Sequence, residues 1–161
     1  MKNYMKLLVL FAIVCCFNLQ AQDLEFVKSH YDKQEVKIKM RDGILLHTTI
    51  YSPKDKSKKY PILMMRTPYS CQPYGENAYK NRIGPNKYLV EEGNIFVQQD
   101  VRGRWDSEGD YLPFVAEAED GYDTQAWIGA QPWSNGEVFT IGASADGIAE
   151  FVVDKAVPPM L

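Results

Sequence analysis

Residues 137–147, EVFTIGASADG, constrain the chain more than any other stretch. A β-branched and aromatic run ends at Gly142, Ser144 sits between Gly142 and Gly147, and a helix-like stretch, IAEFVVDKA, follows at once. A serine placed where an apolar strand turns directly into a helix has the layout of a nucleophile elbow. A serine hydroxyl is a weak nucleophile at neutral pH. It must therefore project from a tight turn towards a base, with the first backbone N–H groups of its own helix facing the substrate oxygen. The glycines allow the close strand–helix contact and unusual dihedrals that such a turn imposes. The stricter pattern has glycine two residues after the serine, where this chain has Asp146, so the motif alone also fits a plain glycine-rich strand-to-helix turn.

The composition suits one globular domain: 161 residues, 45% apolar, 24% charged and 12% aromatic. The N-terminus, MKNYMKLLVLFAIVCCFNLQAQ, has lysines at 2 and 6, an apolar run over 7–17 and then polar and small residues, the pattern of a secretory signal peptide cleaved near Ala21 or Gln22. A lipid-attached cysteine at Cys15 or Cys16 is the rival reading, although no small residue directly precedes them. Removing residues 1–22 takes two lysines and no acid, moving the formal net charge from −3 to −5. That balance gives no electrostatic case for nucleic acid or an anionic membrane surface. It leaves Cys71 alone, without an internal disulfide partner, and the expected state is a buried or half-buried thiol.

In order, residues 23–34 read as an N-terminal arm, 35–40 (EVKIKM) as an alternating strand and 44–51 (ILLHTTIY) as a second strand. Arg41-Asp42-Gly43 between them is a hairpin signal. Residues 61–66 (PILMMR) and 95–99 (IFVQQ) are short apolar runs suited to strands buried on both faces. The long loop from Thr67 to Pro85 is of a length that usually carries function. A short helix is expected over 86–92, capped by Asn86 and ended by Gly93, and another over 117–130 with Tyr122, Ala126 and Trp127 on one side. Helices alternating with short buried strands predict a largely parallel α/β sheet and argue against an all-β binding module. Two distant histidines and one mature cysteine lack ligand spacing, so no metal is expected. No phosphate-binding lysine follows the glycines, so no nucleotide cofactor is expected either.

The ordered series MRDG, RTPY, QDVRGRWDSEGDY, AWIGAQPWSNGEV and GASADG resembles the N-terminal part of the catalytic domain in the X-prolyl dipeptidyl peptidase, cocaine esterase and α-amino-acid ester hydrolase superfamily. The resemblance spans about 36–161. It implies an α/β-hydrolase fold with a mostly parallel sheet, an N-terminal antiparallel hairpin and an end just after the elbow helix. It implies a serine hydrolase acting on a small-molecule or peptide acyl substrate, with no cofactor. Ser144 matches the acyl-forming nucleophile, Tyr69 the tyrosine whose hydroxyl is one oxyanion donor, and the backbone N–H of Ala145 the other. Many members carry tyrosine where Ala145 stands and glycine where Phe139 stands.

The remaining marked residues are expected to be structural. Arg66, Asp100, Arg102 and Arg104 would pin loops by charge-assisted hydrogen bonds, and Trp105, Trp127 and Trp133 would pack at core or rim. Asp146 suits a helix first turn. A hydrolase of this kind takes its acid and histidine from after the serine, yet the 17 residues after Ser144 contain no histidine. His30 lies in the arm, and His47 is expected on the solvent face of its strand, so neither suits the base. Residues 35–161 are accordingly expected to be an incomplete catalytic domain of a longer hydrolase.

Overall fold

The computed structural model describes residues 24–149; the expected signal peptide at 1–22 and residues 150–161 lie outside them. In chain order the elements are α1 (Leu24–His30), β1 (Tyr31–Lys39), β2 (Leu45–Pro53), β3 (Tyr60–Thr67), α2 (Lys87–Glu91), β4 (Ile95–Asp100), α3 (Glu117–Gly129) and β5 (Ser134–Thr140). Residues 145–149 are helical.

The sheet order is β1-β2-β4-β3-β5. It is mixed, not mostly parallel: β3 runs parallel to β4 and β5, whereas β2 is antiparallel to both β1 and β4. The expected hairpin is present, with Gly43 at φ 97 and the Met40 N–H donating to the Ile44 carbonyl at 2.9 Å. Its second strand does not stand apart at an edge. β2 pairs directly with β4, which places the one reversed strand inside the sheet.

Alternation along the strands sorts apolar side chains onto two faces. Ile38, Leu46, Ile50, Ile62, Met64, Ile95 and Val97 form one cluster with Ile128 of α3, and Trp127 and Trp133 pack against it. Tyr31, Tyr51, Leu63 and Phe96 form the opposite cluster with Val27 of α1 and Val90 of α2. β1 starts at Tyr31, ahead of the expected Glu35, because Tyr31 and Lys33 already point inward. The Asn86 side chain accepts the Leu89 N–H and so caps α2, and Gly93, at φ 85, lies just beyond its C-terminal end.

Two expected faces are corrected. On α3 the buried side is Glu117, Asp120, Gly121, Thr124 and Ile128, and Tyr122 is exposed. That side is polar because it meets two arginines: Arg66 Nη1 lies 2.7 Å from Glu117 Oε2, and Arg102 makes two bonds to Asp120 at 2.9 and 2.6 Å. His47 is buried, not solvent-facing. β2 is covered on both sides, so its alternation has no wet face; the ring packs edge-on against Tyr74, and Nε2 lies 3.3 Å from Thr49 Oγ1.

Candidate active site

The parallel strands β3, β4 and β5 all end on the same edge of the sheet, the edge where open α/β sheets place their ligands. Thr67 is in register with Asp100, and Met64 with Thr140. The Ile141 N–H donates to the Met64 carbonyl at 2.9 Å, extending the β3–β5 pairing by one bond before the chain turns. Ser144 follows at φ 58, a left-handed conformation that costs a non-glycine residue about 1–2 kcal/mol. Ser144 is exposed, and its carbonyl accepts the Ile148 N–H at 3.0 Å, so the serine stands at the cap position directly before the helix. Gly142 makes the turn possible. A Cβ there would sit 2.6 Å from the Asp146 carbonyl carbon and 2.6 Å from the Gly147 nitrogen, so no other residue fits without moving backbone. Ala145 is the first helical residue, and an N–H in the first turn has no partner within its own helix.

Tyr69 lies just past the end of β3, on the same sheet edge as Ser144, and is 64% exposed. Its backbone is held firmly. The Tyr69 N–H donates to Thr67 Oγ1 at 3.1 Å, while the Pro68 carbonyl accepts from Arg104 Nε at 3.2 Å and Trp105 Nε1 at 2.9 Å. Buried Asp100 accepts the Cys71 N–H at 2.8 Å and the Tyr74 hydroxyl at 2.7 Å. Lys33 Nζ donates to the carbonyls of Pro73, Gly75 and Ala78 at 2.6, 2.9 and 2.8 Å. The expected pinning of loops is present for Asp100, Arg102 and Arg104, whereas Arg66 instead bonds Gln99 of β4 and Glu117 of α3. Cys71 is fully buried, and burial pushes its thiol well up, away from thiolate chemistry.

Asp146 departs from a simple first-turn acid facing water. Its Oδ1 is buried with no hydrogen-bond partner among the described residues. Burial raises its carboxyl above the usual range, and the Thr67 hydroxyl only partly offsets this. Beside the turn lies a cavity of roughly 450 Å³, floored by Leu63, Met65, Phe96 and Ile141 and bordered by Gly142, Ala143 and Lys80. The histidines stand elsewhere: His30 on α1, and His47 on β2, with β4 and β3 between it and β5. No cluster of His, Cys, Asp and Glu among the described residues could hold a metal ion.

Reading the sequence missed three contributors. Thr67 was legible as a hydroxyl two residues before an N–H, the signature of a serine/threonine turn. Lys33 was legible as a lysine sharing the inward side of β1 with Tyr31. The bond from Trp105 to Pro68 had no sequence signal, because it joins two loops 37 residues apart.

A mixed sheet flanked by helices, with a left-handed serine at the C-terminal end of its parallel strands, is the architecture of an α/β hydrolase. Residues 42–161 match the X-Pro dipeptidyl-peptidase (S15 family), and the chain belongs to that family. Over 116 residues it is 34% identical to cocaine esterase of Rhodococcus sp. (strain MB1 Bresler), covering 72% of this chain and 20% of that protein. It superposes on an α-amino acid ester hydrolase at TM-score 0.69 and 36% identity, covering 81% of this chain and 24% of that one. A CocE/NonD family hydrolase from Staphylococcus aureus gives TM-score 0.68 and 26% identity over 80% of this chain and 26% of that one. The chain therefore spans about a fifth to a quarter of the length of these hydrolases.

Proposed function

We propose that this chain provides the nucleophile and oxyanion donors of an exported serine hydrolase that cleaves esters or amides through an acyl-enzyme on Ser144. The observation that carries the reading is the left-handed φ of Ser144 on a turn that only Gly142 permits, on the same sheet edge as Tyr69. In this reading Ser144 Oγ bonds to the acyl carbon while the carbonyl electron pair moves onto oxygen. The Tyr69 hydroxyl and the Ala145 N–H donate to that oxyanion, each donor worth about 3–4 kcal/mol in the transition state. Collapse expels an alcohol or amine that takes up the serine proton, and water then releases the acid. The substrate is a small-molecule or peptide acyl compound; relatives named for cocaine, for amino acid esters and for X-Pro peptides mark the range. The signal-peptide pattern of residues 1–22 supports export.

In this reading the base is neither His30 nor His47, a choice supported by their places on α1 and β2. We assign it, with its supporting acid, to a further part of a longer hydrolase. The position of His47 equally favours a second reading, in which these residues alone are a non-catalytic piece of such an enzyme.

The test is acylation by p-nitrophenyl acetate, followed as rapid release of p-nitrophenol. A burst approaching one equivalent that is lost in Ser144→Ala supports the acyl-enzyme reading. Release at the same rate in Ser144→Ala contradicts it, and a folded sample with no burst selects the non-catalytic reading.

A further inference from the structure

We infer that Trp105, assisted by Arg104, is a positioning residue that sets the Tyr69 hydroxyl for oxyanion binding, an inference that rests on the role proposed for Tyr69. Tyr69 is 64% exposed, so packing does little to fix its ring, yet an oxyanion donor acts through being already in place. What fixes it is the Pro68–Tyr69 peptide group, which is held on both sides. Its N–H donates to Thr67 Oγ1 at 3.1 Å, and its carbonyl accepts Trp105 Nε1 at 2.9 Å and Arg104 Nε at 3.2 Å. With that plane held, the Tyr69 side chain retains only its own few torsions.

Trp105 has features that core packing does not explain. It is 52% exposed and its backbone is left-handed, at φ 53, where a large non-glycine side chain is disfavoured. A tryptophan kept in a strained conformation, with half its surface in water, adds little apolar stabilisation. Its indole N–H, however, reaches the carbonyl directly bonded to the Tyr69 nitrogen. Arg104 braces this arrangement. Its guanidinium lies 5.7 Å from the Trp105 ring centroid and 5.1 Å from that of Tyr111, while its Nε shares the same acceptor.

The test uses the whole chain with Trp105→Phe, which keeps the aromatic ring and removes the N–H, alone and combined with Tyr69→Phe. Two readouts separate positioning from general stability: the rate of Ser144 acylation by p-nitrophenyl acetate, and hydrogen exchange at the Tyr69 amide. Trp105→Phe is expected to slow acylation roughly three- to tenfold in the native background and to add nothing once the Tyr69 hydroxyl is gone. The Tyr69 amide should exchange about tenfold faster, with the Cys71 amide, held by Asp100, unchanged. Equal slowing in both backgrounds, or an unaltered Tyr69 amide, overturns the inference. If the native chain shows no acylation, these residues alone are the non-catalytic piece, and the Tyr69 exchange still decides whether Trp105 holds that loop. Arg104→Lys, which keeps the charge and loses Nε, serves as the second variant should Trp105→Phe not fold, with the same direction expected in both readouts.

Discussion

Asp146 holds a carboxylate oxygen that is buried without a partner among the described residues, directly after the amide proposed to meet the oxyanion. Burial raises its folded-state pKa, with only a partial offset from the Thr67 hydroxyl. The folded protein therefore binds this proton more tightly than the unfolded chain does. Its contribution is most favourable at pH values below the ordinary carboxylate range and is lost as pH rises through the raised folded value. Asp146→Asn removes the charge while keeping the shape. We expect it to be more stable than the native chain at neutral pH and to lose that advantage in acid, as read by urea unfolding at several pH values. A variant less stable than native at neutral pH would show that the carboxylate has a partner. The same residue scale explains why Ser144 was legible and Trp105 was not. Glycine spacing around a serine is written locally, whereas an indole bonded to a distant carbonyl exists only after the loops have folded.

At the scale of elements, the loop after β3 is held by the sheet rather than by its own structure. Lys33 on β1 reaches three of its carbonyls and pairs with Glu35 Oε1 at 2.6 Å, with its side chain fully buried. Burial works against the Glu35 charge, but the Lys33 ammonium and the Gly75 N–H more than compensate, leaving its carboxyl below the usual range. Lys33→Met would fill the space and strand those carbonyls, so we expect a loss of about 3 kcal/mol with an unchanged urea m-value. A loss below about 0.5 kcal/mol would mean that water replaces the ammonium freely. Most elements were legible. Alternation marked β1, a β-rich run marked β2, apolar runs marked β3 and β4, and Asn86 with Gly93 marked α2. The side chains on two elements were not. Alternation across β2 implied a wet face for His47, but β2 lies between β1 and β4 and is covered on both sides. On α3 the rule that apolar residues face inward failed because Arg66, fully buried on β3, draws Glu117 and Asp120 inward and leaves Tyr122 outside. The pairing of β2 with β4 was likewise hidden, since pairing between strands distant in sequence is a non-local choice.

At the scale of the whole molecule, the sheet converts distant sequence positions into one edge. The ends of β3, β4 and β5 bring together the Tyr69 loop, the arginine-rich loop that braces it and the Ser144 turn, while the two apolar faces hold those strands in register. Five short motifs in order carried the family. The braces among them had to be seen. The central claim is that Ser144 is a nucleophile held ready by this frame, and the most direct measurement is covalent labelling of the chain with a fluorophosphonate, mapped by mass spectrometry of the modified peptide. In the longer hydrolase that supplies the base, the expected result is one label, on the peptide containing Ser144, absent from Ser144→Ala and weakened in Tyr69→Phe. Label on another residue, or label that persists in Ser144→Ala, would contradict it.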